Sequence, residues 1–401
     1  MPAGSIIDLL QLSPDFASDP YPVYAKLRAQ APVHHVRSPE GLEIYLVLGH
    51  EACRAAFTDP RLSRDWRNSG NIRQIINTDA DDPNLAHMLM SDPPDHTRLR
   101  RLVAREFTPR RIESLVPRVQ EITDGLIDEM TENGARTADL VTAFAFPLPM
   151  TVICELLGVP ELDREAFRRW SNEMVARTSP EAEGAAYAEL GAYLPKLIAA
   201  KRAEPGDDLL SALIHTVDEE GDRLSPAEVV GMCNLLLIAG HETTVNLIVN
   251  GMRALFAHPD QLELLRSDLS LIDGAVEEML RYDGPVSSST ERLALEDVEL
   301  GGVVIPAGST VRMVLADADR DGARFEEPDR FDIRRDARGH IAFGHGLHFC
   351  LGAPLARQEG RIAIRTLLER CPDIAQDVDA AALDWVPGLL IRGVRKLPVR
   401  W

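Results

Sequence analysis

Positive charge is scarce in this sequence. Its 401 residues carry 43 lysines and arginines against 63 aspartates and glutamates, a net charge of −20. That balance excludes general nucleic-acid binding and attraction to an anionic membrane surface. Cysteine is scarce too. Cys53, Cys154, Cys233, Cys350 and Cys371 are odd in number, widely spaced and form no CxxC pair. Neither a disulfide framework nor a zinc site is built that way, and the usage fits a reducing cytoplasm. The N-terminus "MPAGSIIDLL" lacks the basic-then-apolar order of a secretory signal. No apolar run approaches the roughly 20 residues that span a bilayer. There is no internal repeat, no dinucleotide-binding glycine fingerprint and no iron–sulfur cysteine array. These absences lead us to expect a cytoplasmic protein with no nucleic-acid or membrane partner.

What is present reads as a mainly α chain with a smaller β portion, expected to form one domain over residues 1–401. "PYPVYAKLRAQ" starts a short helix, and "EIYLVLG" is strand-like. From Asp95 to about Pro259 the pattern is mostly helical, with breaks expected at "FAFPLPM", "GVPELD" and "AEPGDD". Ser225, Pro226 and Glu228 make a capping box that opens a helix of about thirty residues, roughly 45 Å long, ending before Pro259. It is apolar on most faces around "NLLLIAG", so it is expected to cross the core. "LEDVELGGVVIPAGSTVRMVLADA" alternates between Gly and Pro punctuation and predicts strands. A last helix should run from after Cys350 to Arg370, and "LLIRGVRKLPVRW" should form a strand pair.

One stretch carries chemistry. "FGHGLHFCLG", Phe343 to Gly352, surrounds a single cysteine with three glycines and two histidines. A lone cysteine is ordinarily a small buried hydrophobe. At the start of a helix, however, backbone N–H groups favour a thiolate. Gly344 and Gly346 permit backbone close to a flat object, and Gly352 lets the helix approach it. The pattern suits a thiolate bound to a metal on one face of a planar cofactor.

The stretch resembles the haem-binding loop of cytochromes P450, matching at Phe343, Gly344, Gly346, His348, Cys350 and Gly352. The resemblance implies that Cys350 is the proximal ligand of haem b, with Phe343 and Gly352 beside it. It extends over essentially the whole chain and is nearest to Streptomyces macrolide-biosynthesis hydroxylases. It therefore implies the P450 fold, a triangular helix-rich prism with haem between the long central helix and the helix after the Cys loop. His96 and Arg100, four apart on one helical face in "DPPDHTRLRR", then match the propionate partners, as do His348 and Arg292. "VEEMLRY" supplies Glu278 and Arg281, and "EEPDRFDIRR" offers Arg330 as the third member of a structural ion network. "AGHETT" in the long helix matches the family's oxygen-binding segment. There Ala239 and Gly240 leave room for dioxygen, and Glu242 and Thr243 are the expected proton-delivery pair. His241 and Glu242 are neighbours about 100° apart on the helix, which excludes them as a metal pair.

By family position the substrate pocket should be lined by Leu85, Met88 and Met90, by Leu235, Ile238 and Ala239, and by Val286, Ser287 and Leu390. Such a surface suits a bulky lipophilic small molecule. Asp79, Asp81 and Asp82 could anchor an amine on it or form a solvated loop. The resemblance implies a monooxygenase that uses O2 to hydroxylate or epoxidise a macrolide or other polyketide. Steroid, fatty-acid or peptide substrates, a coupling reaction, peroxide-driven turnover and a non-catalytic haem protein that binds ligands are the alternatives. No electron-supplying module is legible, so a ferredoxin and an NAD(P)H-dependent ferredoxin reductase are the expected partners of a monomer. Arg98, Arg100, Arg101, Arg105, Arg110 and Arg111, with Arg357 and Arg361, would give the ferredoxin a basic docking face.

Overall fold

The longest helix begins where its local chemistry dictates. In the computed structural model, which describes residues 6–68, 82–176, 180–217 and 221–401, the Ser225 side chain accepts from the N–H of Glu228, and the Glu228 carboxylate accepts from the N–H of Ser225 at 2.7 Å. The box satisfies donors that a helix start would otherwise leave unpaired. The helix spans Pro226–Ala257, and Pro259 opens the next one, Pro259–Ser267. By length and composition this segment could cross a membrane, although polar residues interrupt its apolar run. Its apolar residues instead form the interior: Met232, Ile248, Val249 and Leu255 have no exposed surface.

Three helices pack on this axis: Pro147–Leu156, Ile272–Asp283 and Ala353–Arg370. Helix Pro109–Thr131 lies against the last of these, and all contribute to one apolar cluster extending from Met88 to Val399. The β portion is smaller. A six-stranded sheet runs in the order Ile7–Asp8, Val33–Arg37, Glu43–Val47, Thr310–Met313, Arg292–Ala294, Leu62–Ser63. Strands from the first 63 residues and from 292–313 thus share one sheet. Val298–Leu300 and Val303–Ile305 form a hairpin whose Gly301 and Gly302 both take left-handed φ, as a tight primed turn requires.

Two expectations about elements are corrected. "FAFPLPM" does not break the helical region. A π-helical turn, Val141–Ala145, leads directly into helix Pro147–Leu156. Pro147 stands in the first turn, where its missing N–H has no intrahelical partner to lose. The C-terminal tail does not pair with itself as a strand hairpin. Its strand Pro398–Arg400 lies between Ala375–Gln376 and the distant Thr137–Asp139.

Candidate functional site

The Cys350 loop is shaped by its own backbone. Gly344 and Gly346 have φ of +74° and +73°. The N–H of Cys350 donates to the carbonyl of Phe343 at 2.9 Å, and that of Phe349 to Gly346 at 3.1 Å. At Gly346 helix His50–Thr58 also comes close: a Cβ there would lie 3.2 Å from the Thr58 methyl. The loop delivers Cys350 to the start of helix Ala353–Arg370, with Gly352 as its cap. The Cys350 residue is exposed, yet its sulfur stands in a recess, where burial pushes the thiol up. The N–H groups of Gly352 and Ala353, and the charges of Arg100 and Arg357, act in the opposite direction.

Basic and imidazole groups converge beside this loop. The His96 and His348 rings have centroids 4.3 Å apart. Among the described residues, both buried ring nitrogens of His96 have no hydrogen-bond partner. Arg100, one turn on, donates to the Phe349 carbonyl at 2.7 Å. Arg292 enters from its strand, 5 % exposed, and donates to the Leu62 carbonyl at 3.1 Å. Burial pushes its guanidinium down to about 10, with Arg64 acting in the same direction. His348 is held far below the usual imidazole range, first by burial and then by His96, Arg292, Arg64 and Arg100. Buried cations and unpartnered imidazoles crowded together are costly unless an anion joins them.

The long helix carries the second group of candidates. Ala239 and Gly240 are exposed between buried Leu237 and His241, so mid-helix the chain is uncovered where its side chains are smallest. The Thr243 hydroxyl donates to the Ala239 carbonyl at 2.9 Å. Glu242 is half-buried, and its carbonyl accepts from Asn246 at 2.9 Å. His241 turns away, its Nδ1 against the Leu237 carbonyl and its ring against Phe146.

The pocket candidates come together in part. Val286 bridges Ile391, and the Ser287 N–H donates to the Leu390 carbonyl at 2.9 Å. Leu85 and Met90 are half-buried and Met88 is buried, on two short 3-10 turns, Pro83–Leu85 and Met88–Met90. Leu235 and Ile238 pack against the main core. Asp82 is occupied by the N–H and side-chain amide of Asn84. Asp79 and Asp81 lie outside the described residues.

The family model described as "Cytochrome P450" matches residues 192–373. Cytochrome P450 monooxygenase PikC of Streptomyces venezuelae is 59% identical over 396 residues, covering 99% of this chain and 94% of that one. The chain belongs to the cytochrome P450 family. As a P450 it is a haem-thiolate monooxygenase that uses O2 as co-substrate. The 6-deoxyerythronolide B hydroxylase of Saccharopolyspora erythraea is 45% identical over 97% of each chain. The tirandamycin C-bound P450 monooxygenase TamI superposes with a TM-score of 0.87 at 44% identity, covering 98% of this chain and 99% of that one. The residues present fit the P450 prosthetic group: a thiol at a helix start, an uncovered pair of small residues on the long helix, and orphaned imidazole and buried guanidinium groups beside the Cys loop, where carboxylates would satisfy them.

The ion network of this P450 needs one correction. Arg281 donates to Glu278 at 2.7 and 2.8 Å, and both side chains are fully buried. The third side chain is Arg335, whose Nε donates to Glu278 at 3.2 Å, and not Arg330. Arg330 is exposed and pairs with Glu327 and Asp332, offering Arg281 only its backbone carbonyl. The chain turns back through a left-handed Glu327, and this brings the later arginine to the buried carboxylate. Several arginines expected on a basic docking face are already engaged: Arg98 with Glu228, Arg111 with Glu106, Arg357 with Glu277, Arg361 with Asp273, and Arg105 with the Val217 carbonyl.

Two residues were not singled out from the sequence. Glu359, on helix Ala353–Arg370, is buried and accepts from the Thr244 hydroxyl at 3.3 Å; burial pushes its carboxyl up to about 8. Arg64 is buried beside Arg292 and donates to the carbonyls of Leu89 and Glu291. An isolated Glu or Arg has no local pattern that marks it as buried.

Proposed function

We propose that this P450 hydroxylates or epoxidises a bulky lipophilic natural product, a macrolide or other polyketide, with electrons delivered by a ferredoxin and its reductase in the cytoplasm. Relatives named for 6-deoxyerythronolide B and bound to tirandamycin C support the substrate class. The apolar character of Leu85, Met88, Met90, Leu235, Ile238, Ala239, Val286 and Leu390, with Ser287 the one polar member, supports it from the residues themselves.

One observation carries the reading of the site. His96, with two unpartnered ring nitrogens, lies against His348, two residues before the recessed Cys350. In this reading Cys350 is the proximal ligand, and His96, Arg100, Arg292 and His348 hold the propionates. When bound, haem supplies the activation of dioxygen. Cys350 carries negative charge at its sulfur, tuned by the N–H groups of Gly352 and Ala353. Ala239 and Gly240 leave space above the ring. The Thr243 hydroxyl is held by the Ala239 carbonyl and can exchange that bond for one to a molecule in the space. Glu242, next in sequence, returns protons to that hydroxyl through water. The apolar pocket excludes bulk water and orients the substrate.

The docking face is narrower than the sequence indicated. Arg54, whose Nε lies 3.4 Å from the His345 ring nitrogen, joins the exposed Arg110 in supporting it. Ferredoxin steering by this patch would weaken as salt is raised.

The test is spectral and then catalytic. Carbon monoxide added to the reduced protein should give the strongly red-shifted Soret band of a thiolate haem, and Cys350→Ser should abolish it. A spectral-shift screen of macrolides, other polyketides, steroids and fatty acids should then give a response with the first two classes. NADPH-dependent oxygenated product with a surrogate ferredoxin completes the reading. A colourless protein, or a nitrogen-ligated haem, overturns it.

A further inference from the structure

We propose that Gly231 on the long helix and Arg64 together fix segment 82–90 at its two ends, and so set the size of ligand the pocket admits. The inference rests on the reading above that Leu85, Met88 and Met90 face the ligand.

Gly231 is buried in the first third of helix Pro226–Ala257. A Cβ there would stand 2.6 Å from the Ala86 carbonyl oxygen and 2.7 Å from that of Pro83, where ordinary contact begins at 3.4 Å. Both obstacles are backbone, so no side-chain rotation relieves them. The 3-10 turn Pro83–Leu85 therefore lies directly on the helix backbone, closer than any other residue type at 231 would allow. Its own geometry is internally closed: Asp82 accepts from Asn84, and the Ala86 N–H donates to Pro83. A closed turn moves as a unit.

Arg64 holds the other end. Its Nε donates to the Leu89 carbonyl at 3.0 Å, and Nη2 lies 3.1 Å from the Met90 sulfur. Its Nη1 donates to the carbonyl of Glu291, the residue before Arg292. One guanidinium thus ties the pocket-facing segment to the strand that carries Arg292. Its backbone N–H is in turn fixed by Asp92 at 2.9 Å. The two contacts act on the same short segment at its two ends, so loosening either should change how the pocket treats large ligands and leave small ones alone.

Gly231→Ala tests this, because alanine is the better helix former and any loss must come from the contact. The holoenzyme is titrated with imidazole, 4-phenylimidazole and clotrimazole, with binding read from the spectral shift. The expected result is an unchanged thiolate carbon-monoxide band, an imidazole Kd within twofold of wild type, and a clotrimazole Kd weakened at least tenfold. Gly251→Ala is the control: it lies on the same helix, its Cβ meets only the pliable Met279 and Ile364 side chains, and no azole Kd should move. If Gly231→Ala does not retain haem, Arg64→Lys carries the test, with the same size-selective loss expected. Unchanged clotrimazole binding, a uniform loss across the three azoles, or an equal effect in Gly251→Ala overturns the inference. Absence of the thiolate band from the wild type would overturn the function proposed above instead.

Discussion

The hydroxyl of Thr244 meets the carboxyl of Glu359 at 3.3 Å, joining the long helix to the helix that follows the Cys loop. Glu359 is 2 % exposed, and burial raises its carboxyl from 4.5 to about 8. A raised carboxyl means the folded protein holds a proton that the unfolded chain gives up between those two values. Stability is therefore lost as pH rises through that window, by about 1.4 kcal/mol for each unit of separation. Glu359→Gln stays neutral throughout. Its melting temperature should match wild type near pH 4.5 and exceed it increasingly towards pH 8 to 9. A gap between the two proteins that does not change with pH would contradict the assignment.

The buried Glu278 carboxylate discriminates between two arginines five residues apart. Arg335→Ala removes a donor from it and frees the carbonyls of Glu326 and Glu327, and should cost about 1–3 kcal/mol. Arg330→Ala removes exposed pairs and should stay within about 0.5 kcal/mol of wild type. Urea denaturation of the two variants checks the ordering, and the reverse ordering would restore Arg330 to the network.

Gly346 combines a left-handed φ with a close neighbour. Gly346→Ala should cost about 1–2 kcal/mol from backbone strain alone. The Thr58 contact adds to this and displaces the turn that precedes Cys350. The expected outcome is a lower melting temperature together with a reduced haem content after purification. Full occupancy at wild-type stability would show that the loop relaxes freely.

His96→Ala removes an imidazole whose two nitrogens have no hydrogen-bond partner among the described residues. Haem transfer to an apoglobin scavenger should accelerate about tenfold, on the order of 1.4 kcal/mol. The thiolate carbon-monoxide band should keep its position, because Cys350 is untouched. A shifted band with unchanged haem retention would place His96 on the wrong side of the site.

The long helix, its capping box, the strands punctuated by Gly and Pro and the Cys loop were legible because each depends on residues within a few positions of one another. The "FAFPLPM" expectation failed on a local ambiguity, since proline breaks a helix interior but suits its first turn. The tail strand failed because strand pairing is non-local: Pro398–Arg400 found its partner more than 250 residues earlier. The basic stretch after Arg98 was visible as charge, but its neutralisation by Glu228 and Glu106 was not.

Sequence alone determined which residues exist to grip a cofactor: one cysteine among glycines, an imidazole and a guanidinium four apart, an acid beside an alcohol. These are chemical identities at short spacings, and folding does not alter them. Tertiary structure decided which side chains are left without partners at the recess, which arginine reaches Glu278, and how closely a turn rests on Gly231. Burial and long-range contact set those outcomes, because the cost of an unpaired polar group depends on what surrounds it in space and not on its neighbours along the chain.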